Sequence, residues 1–319
     1  VDMTDTQNEV FKTPVNKIRL FEHGAPGSQN FKLTRKYYTE DMPDGRVKHI
    51  VQNITDPDIV PYIPDGIGNS TDRQRIPAVL IIPGGAFRRL VYNFEGEDVA
   101  KWLNSMGIAA FVLECRLPSD EHDNAEDVPL IDAMRAMRVI RGRAQEFGID
   151  EAKIGVMGFS AGGFMAALLS TAYESDVYAG YKYKDEYDKL SARPDFAVCS
   201  YPVISIDDCI EAGKRYMSEE QVLERISDSK AKILHKYNPD KLVRPDMPPV
   251  FICETDDDRT TLSENSVGFY MAARKAGVSA ELHIFRTGGH GYGCGDDFAQ
   301  TGEWKVLFTK WIKSIGIIS

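Results

Sequence analysis

The sequence predicts an α/β fold: a mostly parallel, twisted sheet with helices on both faces and a small helical insertion. From residue 78 to the C-terminus, apolar runs of strand length alternate with helix-length segments, the rhythm of successive strand-helix-strand units. The apolar runs are also continuous, as in Ala78-Val79-Leu80-Ile81-Ile82, which fits strands covered on both faces.

Taken in order, residues 1–45 read as a polar, irregular extension packing on the core, with one apolar patch at Ile18-Arg19-Leu20-Phe21. Val1-Asp2 ahead of Met3 reads as an added dipeptide, making Met3 the expected native start. Runs around Val47–Ile54 and Asp58–Ile63 are punctuated by Pro57, Pro61 and Pro64. Proline lacks the N–H a ladder needs, so these are expected as peripheral antiparallel strands. Asp65–Arg75, rich in Gly, Asn, Ser and Asp, is expected to be a surface loop.

Ala78–Ile82 is the first core strand. A helix is expected over Glu97–Met106, stopped by Gly107, and then a strand at Ile108–Leu113. Asp132–Phe147 is expected as an amphipathic helix, because Met134, Met137 and Ile140 recur at helical spacing and Gly148 can close its end. A strand at Lys153–Met157 and a helix at Ala161–Thr171 follow. Phe196–Tyr201 and Val250–Cys253 read as strands, Ser263–Ala276 as a helix ended by Gly277, Ala280–Phe285 as the last strand, and Trp304–Ile315 as the closing helix.

Asp207–Asp246 breaks the alternation. It is charged and helical, with a capping-box pattern at Ser218-Glu219-Glu220-Gln221 and Val222, Leu223 and Ile226 expected on one face. The expected organisation is one domain over residues 46–319, with 207–246 as a cap-like insertion.

The chain has 319 residues, 43% hydrophobic and 27% charged, enough to bury a substantial core. Its formal net charge is −10, and no basic tract interrupts the acidic excess, so nucleic acid is not an expected partner. No run approaches the length of a membrane span. The five cysteines, Cys115, Cys199, Cys209, Cys253 and Cys294, show no CxxC spacing, so neither a zinc site nor a disulfide framework is expected. No metal or cofactor motif is present, and none is expected. The odd cysteine count and a polar N-terminus without a signal-peptide core favour the cytoplasm. A secreted chain whose leader had been cleaved would read the same way. Asn53-Ile54-Thr55 and Asn69-Ser70-Thr71 fit glycosylation sequons, a pattern short enough to recur by chance.

Gly158-Phe159-Ser160-Ala161-Gly162 fits the GxSxG pattern of a nucleophile elbow. Such a turn must be sharp and strained to expose its serine hydroxyl, and glycines two before and two after let it close. The flanks match, with a strand-like Ile154–Met157 before and a helix-like Phe164–Leu169 after. Ser160 then lies at a helix N-terminus, where partial positive charge favours an anionic intermediate.

Pro83-Gly84-Gly85-Ala86-Phe87 follows the first core strand directly. A loop of small residues there can turn backbone N–H groups toward a developing oxyanion, and Gly85, Ala86 and Ala161 are the expected donors.

A hydroxyl nucleophile needs a base, and histidine supplies one. In folds with this elbow the order is Ser, then Asp or Glu, then His, which leaves His235, His283 and His290. His283 alternates within a strand and His235 lies in the insertion, whereas His290, in Gly288-Gly289-His290-Gly291-Tyr292-Gly293, follows the last strand on a loop. The acid should follow the Val250–Cys253 strand, where Glu254, Asp256, Asp257 and Asp258 are available. Asp258 is the first choice and Asp257 the second, and position alone leaves both open.

These residues resemble a known family, the acetyl-xylan esterase-like and feruloyl-esterase-like α/β-hydrolases, themselves similar to hormone-sensitive-lipase and prolyl-oligopeptidase relatives. The matching segments are Pro77–Phe87, Glu97–Leu117, Val128–Leu169 and Pro248–Gly293. The resemblance implies an α/β-hydrolase fold and a triad of Ser160, Asp258 and His290, with Asp258 fixed by counting back from Glu264-Asn265-Ser266. It also implies metal-free removal of short acyl groups, often acetyl groups on plant-wall carbohydrate. Three departures stand out: the oxyanion loop reads Gly84-Gly85-Ala86 rather than three glycines, Thr261-Leu262 replaces a common Val-Pro, and Arg88 and Arg89 follow the oxyanion loop. An alanine keeps the N–H but resists positive φ. Rival readings are a feruloyl esterase, a peptidase or lipase on the same scaffold, and a non-catalytic binding protein. The stretch ahead of the core is too short for a propeller, and the insertion is too charged for a lipase lid.

Overall fold

The computed structural model describes residue 11 and residues 15–67, 75–226, 228–295 and 299–319. The Val1–Met3 start, the Asn69 sequon and most of the Asp65–Arg75 stretch lie outside them. In chain order the strands are β1 (Ile18–Arg19), β2 (Lys36–Asp41), β3 (Val47–Gln52), β4 (Asp58–Tyr62), β5 (Ile76–Ile82), β6 (Leu90–Val91), β7 (Ala109–Glu114), β8 (Ile149–Phe159), β9 (Ala197–Ser200), β10 (Val250–Thr255) and β11 (Ala280–Phe285). The helices are α1 (Asp98–Ser105), α2 (Val128–Gly142), α3 (Ala144–Phe147), α4 (Ala161–Ala172), α5 (Ile206–Lys214), α6 (Glu219–Arg225), α7 (Asp228–Lys236), α8 (Ser263–Lys275) and α9 (Trp304–Ser314).

The main sheet runs β1-β4-β7-β5-β8-β9-β10-β11, and β2, β3 and β6 form a smaller one. From β7 to β11 neighbouring strands are parallel, whereas β1 and β4 run antiparallel at one edge. Strands β7, β9 and β10 are buried along their whole length. This is what their continuous apolar runs require of strands covered by helices on both faces.

Four expectations change. The polar stretch Lys36-Tyr37-Tyr38-Thr39-Glu40-Asp41 is a strand, paired antiparallel with β3 from Lys36↔Gln52 to Asp41↔Val47. This hairpin straddles residue 45, and β2 reads as irregular because it lies at the surface with no buried residue. Second, β4 is one strand in from the edge of the main sheet, with the two-residue β1 outside it. Third, α2 begins at Val128 and is buried throughout Val128–Met137 rather than amphipathic. Its outer side is covered by neighbouring chain, since Arg135 Nε donates to Leu20 O and Arg138 Nε to Leu190 O, each at 2.9 Å. Fourth, in the insertion the Ser218–Gln221 capping box forms, but Leu223 is exposed while Val222 is buried. Helices α5 to α7 lie between β9 and β10 in the chain.

The segment ahead of the hairpin is fastened by buried charge. Glu114, at the end of β7, is fully buried and pairs with Lys17 (2.7 Å) and Arg35 (2.6 Å), and Arg35 also pairs with Asp58 (2.7 Å). Arg116 is fully buried, pairs with the equally buried Asp132 at 2.7 Å, and donates to Pro26 O and Ser28 Oγ.

Removing one partner of such a pair leaves the other charged and desolvated. Arg116→Ala is therefore expected to cost about 3–5 kcal/mol of stability. Arg75→Ala, which breaks an exposed pair with Glu151, should cost less than about 1 kcal/mol. Urea denaturation of the two variants against the parent checks the difference.

Candidate active site

Ser160 sits between Phe159, the last residue of β8, and Ala161, the first of α4, with φ 54° and ψ −118°. A residue with a Cβ rarely takes this conformation, and the surroundings must over-determine it. They do so by backbone contact. A Cβ on Gly158 would stand 1.9 Å from Gly162 O, and one on Gly162 would stand 1.9 Å from Ile82 O. Ser160 N donates to Ser200 O at 3.0 Å, and Phe164 N donates to Ser160 O at 3.0 Å.

The structure brings Ser160, His290 and Asp258 into one hydrogen-bonded line. His290 Nε2 lies 2.8 Å from Ser160 Oγ, and Nδ1 lies 2.6 Å from Asp258 Oδ2. Asp258 also accepts from Thr260 N (2.7 Å), Thr261 N (2.9 Å) and Thr261 Oγ1 (3.1 Å). Burial pushes the Asp258 pKa up. The hydrogen bond to His290, the charge of that ring and the Thr261 and Thr260 N–H groups outweigh burial and hold it below the ordinary carboxylate value.

The other acid candidates take different places. Asp257 is exposed and accepts from Gly288 N (2.9 Å) and Gly289 N (2.8 Å), bracing the backbone that leads to His290. Asp256 is exposed. Glu254 is buried inside β10 and accepts from Thr255 N (2.9 Å) and Ser266 Oγ (3.1 Å). His283 lies in β11 with Nε2 2.7 Å from Glu281 Oε1, and His235 lies in the last turn of α7.

The loop after β5 turns through three positive φ angles, at Gly85 (143°), Ala86 (57°) and Phe87 (62°). The alanine thus accepts the conformation it resists. Arg88 N and Arg89 N close the loop onto Gly85 O, each at 3.2 Å, and Val91 N donates to Gly84 O at 2.9 Å. The small sheet anchors it from outside: β6 pairs with β3, Gln52 Nε2 donates to Arg88 O at 3.0 Å, and Arg89 pairs with Glu40. The N–H groups of Gly85, Ala86 and Ala161 meet no acceptor among the described residues, which leaves them free for an anion.

Two neighbours were not foreseen. Glu95, in the helical turn that leads into α1, is buried and accepts from Gly84 N at 2.8 Å and Tyr201 Oη at 2.9 Å. Tyr201, with φ 37°, packs its ring edge-on to His290 at 5.0 Å. Glu95 stands in Asn93-Phe94-Glu95-Gly96, which has no pattern that separates it from a surface acid. Among the described residues no group of His, Cys, Asp and Glu could hold a metal ion.

Residues 67–272 match the BD-FAE family, a stretch that contains Ser160 and Asp258 and stops short of His290. The chain belongs to the BD-FAE family. This BD-FAE member is 31% identical over 240 residues to the acetylxylan esterase of Xylanibacter ruminicola, covering 75% of this chain and 45% of that protein. It is 29% identical over 269 residues to endo-1,4-beta-xylanase B of Butyrivibrio fibrisolvens, covering 82% of this chain and 40% of that protein. The chain thus spans less than half the length of these curated relatives. The crystal structure of an acetyl ester-xyloside bifunctional hydrolase from Caldicellulosiruptor lactoaceticus superposes with a TM-score of 0.72 at 34% identity, covering 96% of this chain and 98% of that one. The expected α/β-hydrolase fold is the one this BD-FAE chain adopts.

Burial and then the negative charge of Asp258 hold the Glu254 pKa well above the usual value, which is about 4.3 when unfolded. A raised folded pKa stabilises fully below the unfolded value, and that contribution is lost as pH rises through the folded one. Glu254→Gln removes the liability, so its melting temperature relative to the parent should be higher at pH 8 than at pH 5. A difference that does not grow with pH would show that Glu254 is not held neutral.

Proposed function

We propose that this chain is a serine carboxylic-ester hydrolase that removes short acyl groups, acetyl foremost, from carbohydrate esters by way of an acyl-enzyme. The observation that carries the reading is the continuous line from Asp258 through His290 to Ser160 Oγ, with both links at hydrogen-bond distance. The acetyl-carbohydrate preference is supported by the names of the Xylanibacter and Caldicellulosiruptor relatives.

His290 Nε2 takes the Ser160 Oγ proton as Oγ bonds to the ester carbonyl carbon. Gly85, Ala86 and Ala161 N–H groups stabilise the resulting oxyanion, each worth about 3 kcal/mol of barrier by precedent. The C–O bond to the alcohol breaks and His290 returns the proton to the leaving oxygen. Water then attacks the acyl carbon with its proton going to His290, and the second collapse releases acid and restores Oγ–H. Asp258 fixes the ring tautomer and stabilises the imidazolium, and Asp257 acts through the loop backbone.

None of the five cysteines, all among the described residues, forms a disulfide, which supports a reducing compartment and hence the cytoplasm. Among the described residues no helix is long and apolar enough to cross a membrane.

Ser160→Ala should abolish p-nitrophenyl acetate turnover and covalent labelling by a fluorophosphonate, and retained turnover would overturn the assignment. Across p-nitrophenyl acetate, butyrate and octanoate, kcat/KM should fall with chain length, and acetylated xylan should release acetate where methyl ferulate is spared. Asp258→Asn should lower kcat by about 10⁴-fold, by precedent for a misdirected tautomer. Asp257→Asn keeps an amide oxygen for the same backbone donors and should retain most activity.

A further inference from the structure

The oxyanion loop after β5 and the histidine loop after β11 both reach Ser160, yet β8, β9 and β10 separate their parent strands. At about 4.8 Å per strand, that is roughly 19 Å of sheet. A chain of hydrogen bonds crosses the gap. Gly293 N–H donates to the Tyr201 hydroxyl (2.9 Å), Tyr201 donates to Glu95 Oε1 (2.9 Å), and Gly84 N–H donates to Glu95 Oε2 (2.8 Å).

We propose that Glu95 is a positioning residue of the reaction: its carboxylate clamps the oxyanion loop at Gly84 and, through Tyr201, the histidine loop at Gly293. The proposal rests on the esterase reading above.

Three features give the clamp its leverage. There is no slack at Gly84, where a Cβ would stand 2.7 Å from Glu95 Oε2 and 3.0 Å from Ser160 Cβ. Movement of the carboxylate is therefore transmitted to Gly84, and so to the Gly85 and Ala86 N–H groups that follow it. Both carboxylate oxygens are engaged as acceptors, a task a glutamine cannot repeat because its amide has one acceptor oxygen and an NH₂ that donates. Glu95 is only 5% exposed, so bulk water does not compete for the links. Burial holds its pKa above the ordinary carboxylate value, against the pull of the charge of His290 and of the Tyr201 and Gly84 hydrogen bonds.

The test compares kcat and KM for p-nitrophenyl acetate in the parent, Glu95→Gln, Tyr201→Phe and the double variant, well below their melting temperatures. Tyr201→Phe removes the hydroxyl and retains the ring packed on His290. Each single variant is expected to lose 10- to 100-fold in kcat with KM within about three-fold, the pattern of misaligned transition-state donors. The double variant should be no worse than the poorer single, because either change breaks the same chain. Single variants with parental kcat, or losses that multiply in the double, overturn the clamp. If Glu95→Gln does not fold, Tyr201→Phe decides alone: a kcat loss at an unchanged melting temperature supports the clamp, and parental kcat refutes it. Ser160→Ala run in parallel separates the two ideas. If it stays active the esterase reading fails, whereas an inactive Ser160→Ala beside fully active Glu95 and Tyr201 variants removes only the clamp.

Discussion

Everything at the candidate site depends on one strained turn. Ser160 holds a φ of 54°, a conformation that costs about 1–3 kcal/mol and persists only where packing allows no alternative. The backbones of Gly158, Gly162 and Ile82 touch closely enough to exclude any side chain, so relaxing the turn would drive one chain segment into another. The cost is offset by burial around it. The inner part of β8 is enclosed between β5 and β9, and every residue of α4 from Ala161 to Thr171 is buried. The sheet's interior thus stabilises a conformation useful only at its edge.

That edge gathers the rest. The five strands β5, β8, β9, β10 and β11 are consecutive in space although not in sequence. Their carboxyl ends contribute, in order, the Gly84–Phe87 loop, Ser160, Tyr201, the Asp258 loop and the His290 loop. A parallel sheet puts all these ends on one side, which is why open α/β sheets bind ligands there. Each contribution is then trimmed locally: the small sheet pins the Gly84–Phe87 loop, Thr260 and Thr261 orient Asp258, and Asp257 braces the approach to His290.

The parallel core was legible because strands covered on both faces leave continuous apolar runs that solvent-facing strands do not. Strand β2 was not, since Lys36, Glu40 and Asp41 give a surface strand the composition of a loop. The burial of α2 escaped notice because its arginines look solvent-facing until Leu20 O and Leu190 O are seen to accept from them. In the site, Ser160 and His290 carry glycine-rich surroundings that announce a turn. Asp257 and Asp258 are adjacent after the same strand, and only the directions of their side chains separate the one on the imidazole from the one on the loop backbone. Glu95 and Tyr201 lie 106 residues apart, and nothing local in either segment points to the other.

The ion cluster at Glu114 bears on how a longer protein containing this unit could be divided. Both cations that pair with that buried carboxylate, Lys17 and Arg35, come from chain that precedes the first parallel strand. A fragment cut at the start of the repeating strand-helix pattern would keep every residue of the candidate site and lose the countercharge of its own sheet. Charge and sheet topology thus point the same way, since β1 and β4 of the main sheet also precede that strand and Lys17 directly precedes β1.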